Sequence, residues 1–302
     1  MKHILSIFLL FSASQAFCQW ELVTATEIEF GTYYTDIHFL NKDTGFVIAS
    51  SPDVEGGRFL LRTTNAMETW DTIKKSDFGI LPTSSFYEID FVDDSIGYIS
   101  CAGDVIKSLD YGETWFSLDT ADNMHLTTPW FNTIFVNKDT GYIAYQDGGA
   151  ECLRTFDGGW TWEEDPIMTG ARSFNKNRDG LITGCTGGWA ILDSETLEWD
   201  KGLGLLGGDL RGLVFRNSTY NNGQLILSGS RSGSYFGIYA VSEDEGETWR
   251  LFSMVGVLFE AGEVYFHNDL EGFMIGSFRG TLNTWDGGET WFLMEVNNFD
   301  SE

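Results

Sequence analysis

The sequence predicts an all-β protein, a β-propeller of six four-stranded blades, on three observations. A short turn, Asp-x-Gly-x-Thr-Trp, recurs along the chain. A second landmark precedes each copy: Phe, a polar turn, Gly, then an apolar strand. No stretch shows helical periodicity with caps. Repeats of about 40–50 residues that each read as four short strands describe propeller blades.

The turn stands at "SLDYGETWFSL" (108–118), "TFDGGWTWEED" (155–165), "SEDEGETWRLF" (242–252) and "TLNTWDGGETWFLM" (281–294). A worn copy, "TTNAMETWDTI", stands at 63–73. Trp70, Trp115, Trp162, Trp249 and Trp291 close these copies, and Trp199 in "LDSETLEWDKG" fills the one wide gap. The Phe–turn–Gly landmark gives "FLNKDTGFVIAS" (39–50), "FVDDSIGYISCA" (91–102), "FVNKDTGYIAYQ" (135–146), "FNKNRDGLITGC" (174–185) and "FHNDLEGFMIGS" (266–277). "FRNSTYNNGQLILSG" (215–229) is the sixth, with a longer turn.

Taken in chain order, residues 1–16 read as a secretory signal peptide. Lys2 and His3 precede the apolar run Ile4–Phe11, and small residues follow. Cleavage after Ala16 fits best, with Cys18 as the rival end. Phe17 stands where a bacterial lipoprotein signal wants a small residue, so lipidation is not expected. Residues 19–297 form one propeller domain. Its leading "QWELVT" (19–24) imitates an outer strand without its blade, and is expected at the ring seam. Six blades follow over 33–297. A seventh is the alternative count, but too little chain remains after Val296 to build it, and 298–302 is a short tail. Each blade reads as an apolar strand ending at the Phe, a second strand after the Gly, a third such as "FLLRT" or "ECLRT", and a fourth beginning at Thr-Trp.

The repeated turn has a physical reading. An Asp in this position accepts hydrogen bonds from the amides of its own turn, Gly supplies a positive φ, and Trp buries a large apolar area against its neighbour. Asp110, Asp157, Asp244 and Asp286 are therefore expected to be structural, with calcium at these loops the one cofactor considered. The S/T-x-D-x-G-x-T-W pattern resembles the Asp-box, or bacterial neuraminidase repeat. Joined to "DTGYI", it looks most like the photosystem II assembly-factor family and its secreted bacterial relatives. The resemblance covers nearly the whole mature chain and implies a propeller whose Asp-boxes lie away from the ligand face.

The composition narrows function. A net charge of −27 disfavours nucleic acid and anionic membranes. It also departs from the assembly factors, whose resemblance implies a basic patch. After the signal, Cys101, Cys152 and Cys185 resemble no metal site and read as buried small apolar groups or as one bridge with an odd thiol. Sialidases, among the proteins with this repeat, carry an Arg-Ile-Pro signature, and none exists beside Pro52, Pro82, Pro129 or Pro166. Arg62 and Arg154 sit at matching third-strand positions and read as scaffold. No Gly-x-Ser-x-Gly or phosphate loop appears.

Two candidate sites remain. Nine residues before the landmark Gly stand Asp36, Glu88, Asn132, Ala171 and Glu263; two positions on stand His38, Asp90, Ile134, Ser173 and Tyr265. Residues two apart share a strand face. Asp36, His38, Glu88, Asp90 and Glu263 are thus expected around the mouth of a central channel, binding a cation, raising one another's pKa values or simply lining water. The loops 76–85, 121–131 and 202–210 offer Phe78, Leu81, Trp130 and Leu205 for recognition. The expectation is an exported, monomeric, non-catalytic binder of an envelope or extracellular protein or glycan, with no stable membrane insertion. The alternative is an extracellular glycan hydrolase using the acidic ring.

Overall fold

Apolar–polar alternation makes strands, and among the described residues each strand pairs antiparallel with its sequence neighbours within its own blade. The computed structural model describes residues 33–51, 57–74, 86–101, 104–118, 132–146, 150–168, 171–177, 182–185, 189–193, 195–202, 213–231, 237–244, 246–254, 260–277 and 281–294. These residues hold 24 strands in six four-stranded sheets and no helix. The expected signal peptide, "QWELVT", the tail, and the loop residues Phe78, Leu81, Trp130 and Leu205 lie outside the described residues.

The first strands of the six blades are Tyr33–Phe39, Phe86–Phe91, Asn132–Phe135, Ser173–Lys176, Leu213–Asn221 and Glu260–Phe266. From blade 1 through blade 6 each lies against the next, so they form the inner wall. The fourth strands, such as Asp71–Ile73 and Phe292–Leu293, are largely exposed. In blade 5 the residues that read in sequence as a longer turn instead extend both strands, which close on the two-residue turn Asn222–Gly223.

The core lies between blades rather than within one. Phe46 of blade 1 stacks on Phe91 of blade 2 with ring centroids 5.2 Å apart, and Trp115 meets both edge-on. Tyr98 stacks on Phe135 between blades 2 and 3, and Trp162 meets Phe135 edge-on. Trp291 sits edge-on between Tyr239 of blade 5 and Phe266 of blade 6. The landmark Phe and the turn Trp of one blade thus clamp an aromatic ring of the preceding blade. A buried Phe removed from such a contact typically costs about 3–5 kcal/mol. Cys101 and Cys152 are buried in these interfaces, their S–H groups directed at the carbonyls of Ile99 and Leu153. Nothing of the side chain of Cys185 is described.

The repeated turn is a closed hydrogen-bond circuit. In blade 2 the Ser108 hydroxyl donates to Asp110 (2.9 Å) and accepts from the Gly112 amide (3.0 Å). Asp110 in turn accepts from the amide and hydroxyl of Thr114, at 2.8 and 2.6 Å. The Trp115 indole donates to Gly112 O, tying the ring to its own turn. Blades 3, 5 and 6 repeat the aspartate bonds at Asp157, Asp244 and Asp286, and the indoles of Trp162 and Trp249 repeat the bond to the turn carbonyl. The Thr248 hydroxyl and amide, with the Ser242 hydroxyl, hold Asp244 below the ordinary carboxylate range. At Asp110, Asp157 and Asp286 burial works the other way, and the same donors overcome it.

The copy that looks worn in sequence keeps this geometry. Asn65 replaces the Asp and accepts from the Thr69 amide at 3.0 Å, while its own amide donates to the Thr69 hydroxyl. Met67 occupies the Gly position at φ 70°, where Gly112 has φ 71°. A non-glycine residue there costs roughly 1–2 kcal/mol. Replacing Met67 by Gly should therefore raise stability by about 0.5–1 kcal/mol, net of the entropy glycine adds to the unfolded chain. Gly112→Ala should cost about 2–4 kcal/mol, since its Cβ would also meet the Phe46 ring at 2.4 Å. Urea unfolding of both variants checks the pair of opposite signs.

Candidate functional site

A first strand is an open sheet edge, and its outward amides need acceptors. In blades 1 to 3, residues nine or seven before the landmark Gly meet this need across the blade boundary. Asp36 accepts from the Ile89 amide of blade 2 at 2.7 Å, and from its neighbour Ile37 at 2.8 Å. Glu88 accepts from the Thr133 amide of blade 3 and, at 2.7 Å, from the Asn132 side chain. Asp90 accepts from the Phe135 amide at 2.9 Å. Asn132 continues the series, its oxygen accepting from the Phe174 amide of blade 4.

Beyond blade 3 neutral side chains tie the blades in the opposite sense, as donors. Asn175 reaches Asn217, Thr183 donates to Ser218 O at 2.8 Å, and Asn221 donates to Asp269 O at 3.1 Å. Blade 2 gives a further tie, with Tyr98 donating to Lys138 O and Lys107 to Gly158 O in blade 3.

The carboxylates that sequence places in one register do come together. Burial pushes the Asp36 carboxyl up to about 7, against the two amides that hold its charge; the charges of Glu263 and Asp90 add to the rise. Burial and the Asp36 charge also raise Glu88. Asp90 is raised by burial, opposed by the Phe135 amide and by the charges of His38 and Lys176. Glu263 is raised by burial, and its side chain keeps contact with solvent. His38 is lowered by burial, which outweighs Asp90; its ring lies 5.1 Å from Phe91. Lys176 of blade 4 acts on groups of blades 1 and 2, as side chains around one axis must.

The cluster is lopsided. Its acids come from blades 6, 1 and 2, while blades 3 to 5 present Asn132, Asn175 and Asn217. Among the described residues no group of three or more His, Cys, Asp or Glu side chains is arranged to hold a metal ion. Sequence reasoning aligned Asn132 in this register but did not single it out. It also missed the acceptor role, for which the recurrence of an acid or amide nine residues before the Gly was the available signal.

Neither a protein-family model nor a curated protein sequence matches this chain. Solved structures do share its fold. YCF48 bound to D1 peptide superposes with a TM-score of 0.60 at 16% identity, covering 87% of this chain and 82% of that one. YCF48 from Cyanidioschyzon merolae gives 0.59 at 14% identity, covering 88% and 89%. The GH74 enzyme of Niastella koreensis gives 0.61 at 14% identity, covering 85% of this chain but only 46% of its own. At such identities the likeness concerns the fold, and it agrees with the propeller part of the expected resemblance.

The raised carboxyls set a pH dependence of definite sign. Asp36 binds its proton more tightly when folded, from an ordinary 3.8 to about 7. Its contribution is therefore fully present below the unfolded value and is lost as pH rises through about 7. The turn aspartates have the opposite sign, and their contribution is lost only as pH falls below the ordinary carboxylate range. Asp36→Asn keeps an acceptor for Ile89 and removes the charge, so it should flatten the decline of stability between pH 5 and 8. Asp36→Ala should flatten the same decline and cost about 1–3 kcal/mol more than Asp36→Asn throughout, by orphaning that amide. Urea midpoints across this range distinguish the two.

Proposed function

We propose that this chain is an exported, non-catalytic propeller that holds a protein or glycan partner of the cell envelope or extracellular space. The observation that carries this reading is the employment of the acidic ring. Asp36, Glu88 and Asp90 each accept a backbone amide of the next blade, so their oxygens are engaged in joining blades. A general acid or nucleophile needs its oxygen directed at substrate. Recognition then falls to the loops 76–85, 121–131 and 202–210, with Phe78, Leu81, Trp130 and Leu205 as anchors on a rigid ring. A fold neighbour, YCF48, is bound to a peptide, which supports a protein partner in general. The GH74 neighbours support a glycan ligand or, as a second reading, glycan hydrolysis, for which a carboxyl raised to about 7 is the favouring observation.

One experiment separates these. Purified mature protein and a Phe78→Ser/Leu81→Ser/Trp130→Ser variant are used to capture partners from envelope and culture extracts. Polysaccharide hydrolysis is assayed in parallel for the wild type and Glu88→Gln, which keeps an acceptor for Thr133. A partner retained by the wild type, lost by the loop variant and still held by Glu88→Gln is the expected result. Glycan turnover that falls by about 10²-fold or more in Glu88→Gln would overturn the binding reading.

A further inference from the structure

In the repeated turn, the residue two before the Trp reaches back across a blade boundary. Glu289 of blade 6 pairs with Arg250 of blade 5 at 2.9 Å, and Glu113 of blade 2 lies 3.5 Å from Arg62 of blade 1. Blade 3 departs from this pattern. It places Trp160 there, and the indole lies 6.4 Å from the ring of Phe116 in blade 2, the residue that corresponds to Arg250. An ion pair at one boundary is thus an aromatic pair at another. The aromatic pair faces water, with Trp160 53% exposed and Phe116 half-buried.

The pair is part of a larger surface. Phe156, beside the turn Asp of blade 3, is 51% exposed, and Leu109 and Tyr111, on either side of the turn Asp of blade 2, are each 56% exposed. The matching places in blade 5 hold Glu243 and Glu245. Single exposed apolar residues are ordinary, whereas a group of them on adjacent hairpins marks a contact surface. Joining blades does not account for the aromatic pair, since Arg250 and Glu289 join blades 5 and 6 at the same place without one. The surface stands at the strand ends opposite to those from which residues 76–85 and 121–131 depart, so it is separate from the recognition loops assigned above.

The charge around this surface selects its partner. Asp110, Glu113, Asp157, Glu163 and Glu164 belong to the same two turns and to the strand that leaves the second. The basic residues of blades 2 and 3 among the described residues are Lys107, Lys138 and Arg154, and each is engaged. Lys107 is buried over the Tyr98 ring, Lys138 pairs with Asp139, and Arg154 pairs with Glu163 at 2.7 Å while lying over Phe156. Among the described residues no cation lies over Trp160, although an indole face attracts one best. We propose that Phe116 and Trp160, with Leu109, Tyr111 and Phe156, dock a basic protein segment that carries both apolar and cationic side chains. Its apolar groups pack on the exposed rings, and its cations meet the Trp160 face and the surrounding carboxylates.

The test is fluorescence anisotropy with short labelled peptides that alternate Lys with Leu, Lys with Ser, or Glu with Leu, and with a labelled cello-oligosaccharide as the glycan probe. The key variant is Phe116→Arg/Trp160→Glu. It rebuilds at this boundary the pair seen between blades 5 and 6 and leaves the net charge unchanged, so a loss of binding reports the aromatic surface alone. Trp160→Ser is a milder second variant, and Trp285→Ser removes an equally exposed tryptophan from the turn of blade 6. The Lys–Leu peptide should bind the wild type about 10-fold or more tightly than the Lys–Ser peptide, and the Glu–Leu peptide should not bind. Both variants at Trp160 should weaken the Lys–Leu peptide by about 10-fold or more, with Trp285→Ser leaving it unchanged. Equal affinity for the two lysine peptides overturns the proposal, as does Lys–Leu binding that both Trp160 variants leave intact or that Trp285→Ser weakens equally. Binding of the cello-oligosaccharide that only the Trp160 variants lose, without a preference between the peptides, overturns it in favour of a glycan surface.

Discussion

The whole ring depends on how the open edge of each blade is satisfied. A four-stranded sheet leaves its first strand with amides that nothing in the sheet can accept, and packing blades side by side removes water from them. In blades 1 to 3 the side chain nine residues before the landmark Gly supplies the acceptor across the blade boundary. Asp36, Glu88 and Asn132 are three chemical versions of one answer, and each holds an amide of the next blade. Carboxylates make these bonds stronger, and they do so at the expense of gathering like charge in a confined space.

The aromatic clamp and the turn circuit serve the same boundary from its outer side. A Trp such as Trp115 is fixed by its indole bond to the turn carbonyl, and the fixed ring meets Phe46 of the preceding blade and Phe91 of its own. Local turn chemistry is thereby converted into contact between blades. This explains why the turn survives in blade 1 with Asn65 and Met67 in place of Asp and Gly. The geometry that aims Trp70 matters, and more than one residue set can produce it.

Much of this architecture was legible in the sequence, because it is written in local terms. The spacing of Trp70, Trp115, Trp162, Trp199, Trp249 and Trp291 set the blade count, and the Phe–turn–Gly landmark set the first hairpins. The register of Asp36, Glu88 and Asp90 was also legible. Their partners were not, since a carboxylate in a pattern does not say which amide it will meet, and Ile89, Thr133 and Phe135 are unremarkable as letters. The strain at Met67 was invisible for a related reason: propensity alone argues against a methionine there, and only the intact hydrogen bonds around it reveal that the turn prevails. Phe78, Leu81, Trp130 and Leu205 lie outside the described residues.

The pairing of consecutive strands within each described blade has a kinetic consequence. Each hairpin closes a short loop, and each new blade docks on one already made, so most of the structure assembles through contacts of low sequence separation. The meeting of Glu263 with Asp36 is the exception, joining the two ends of the array. The entropy of closing a circle more than two hundred residues round is concentrated in that single late step. Until it occurs, the growing chain is an open stack with one bare face at each end, and those faces are where a nascent molecule is most exposed to joining the wrong neighbour.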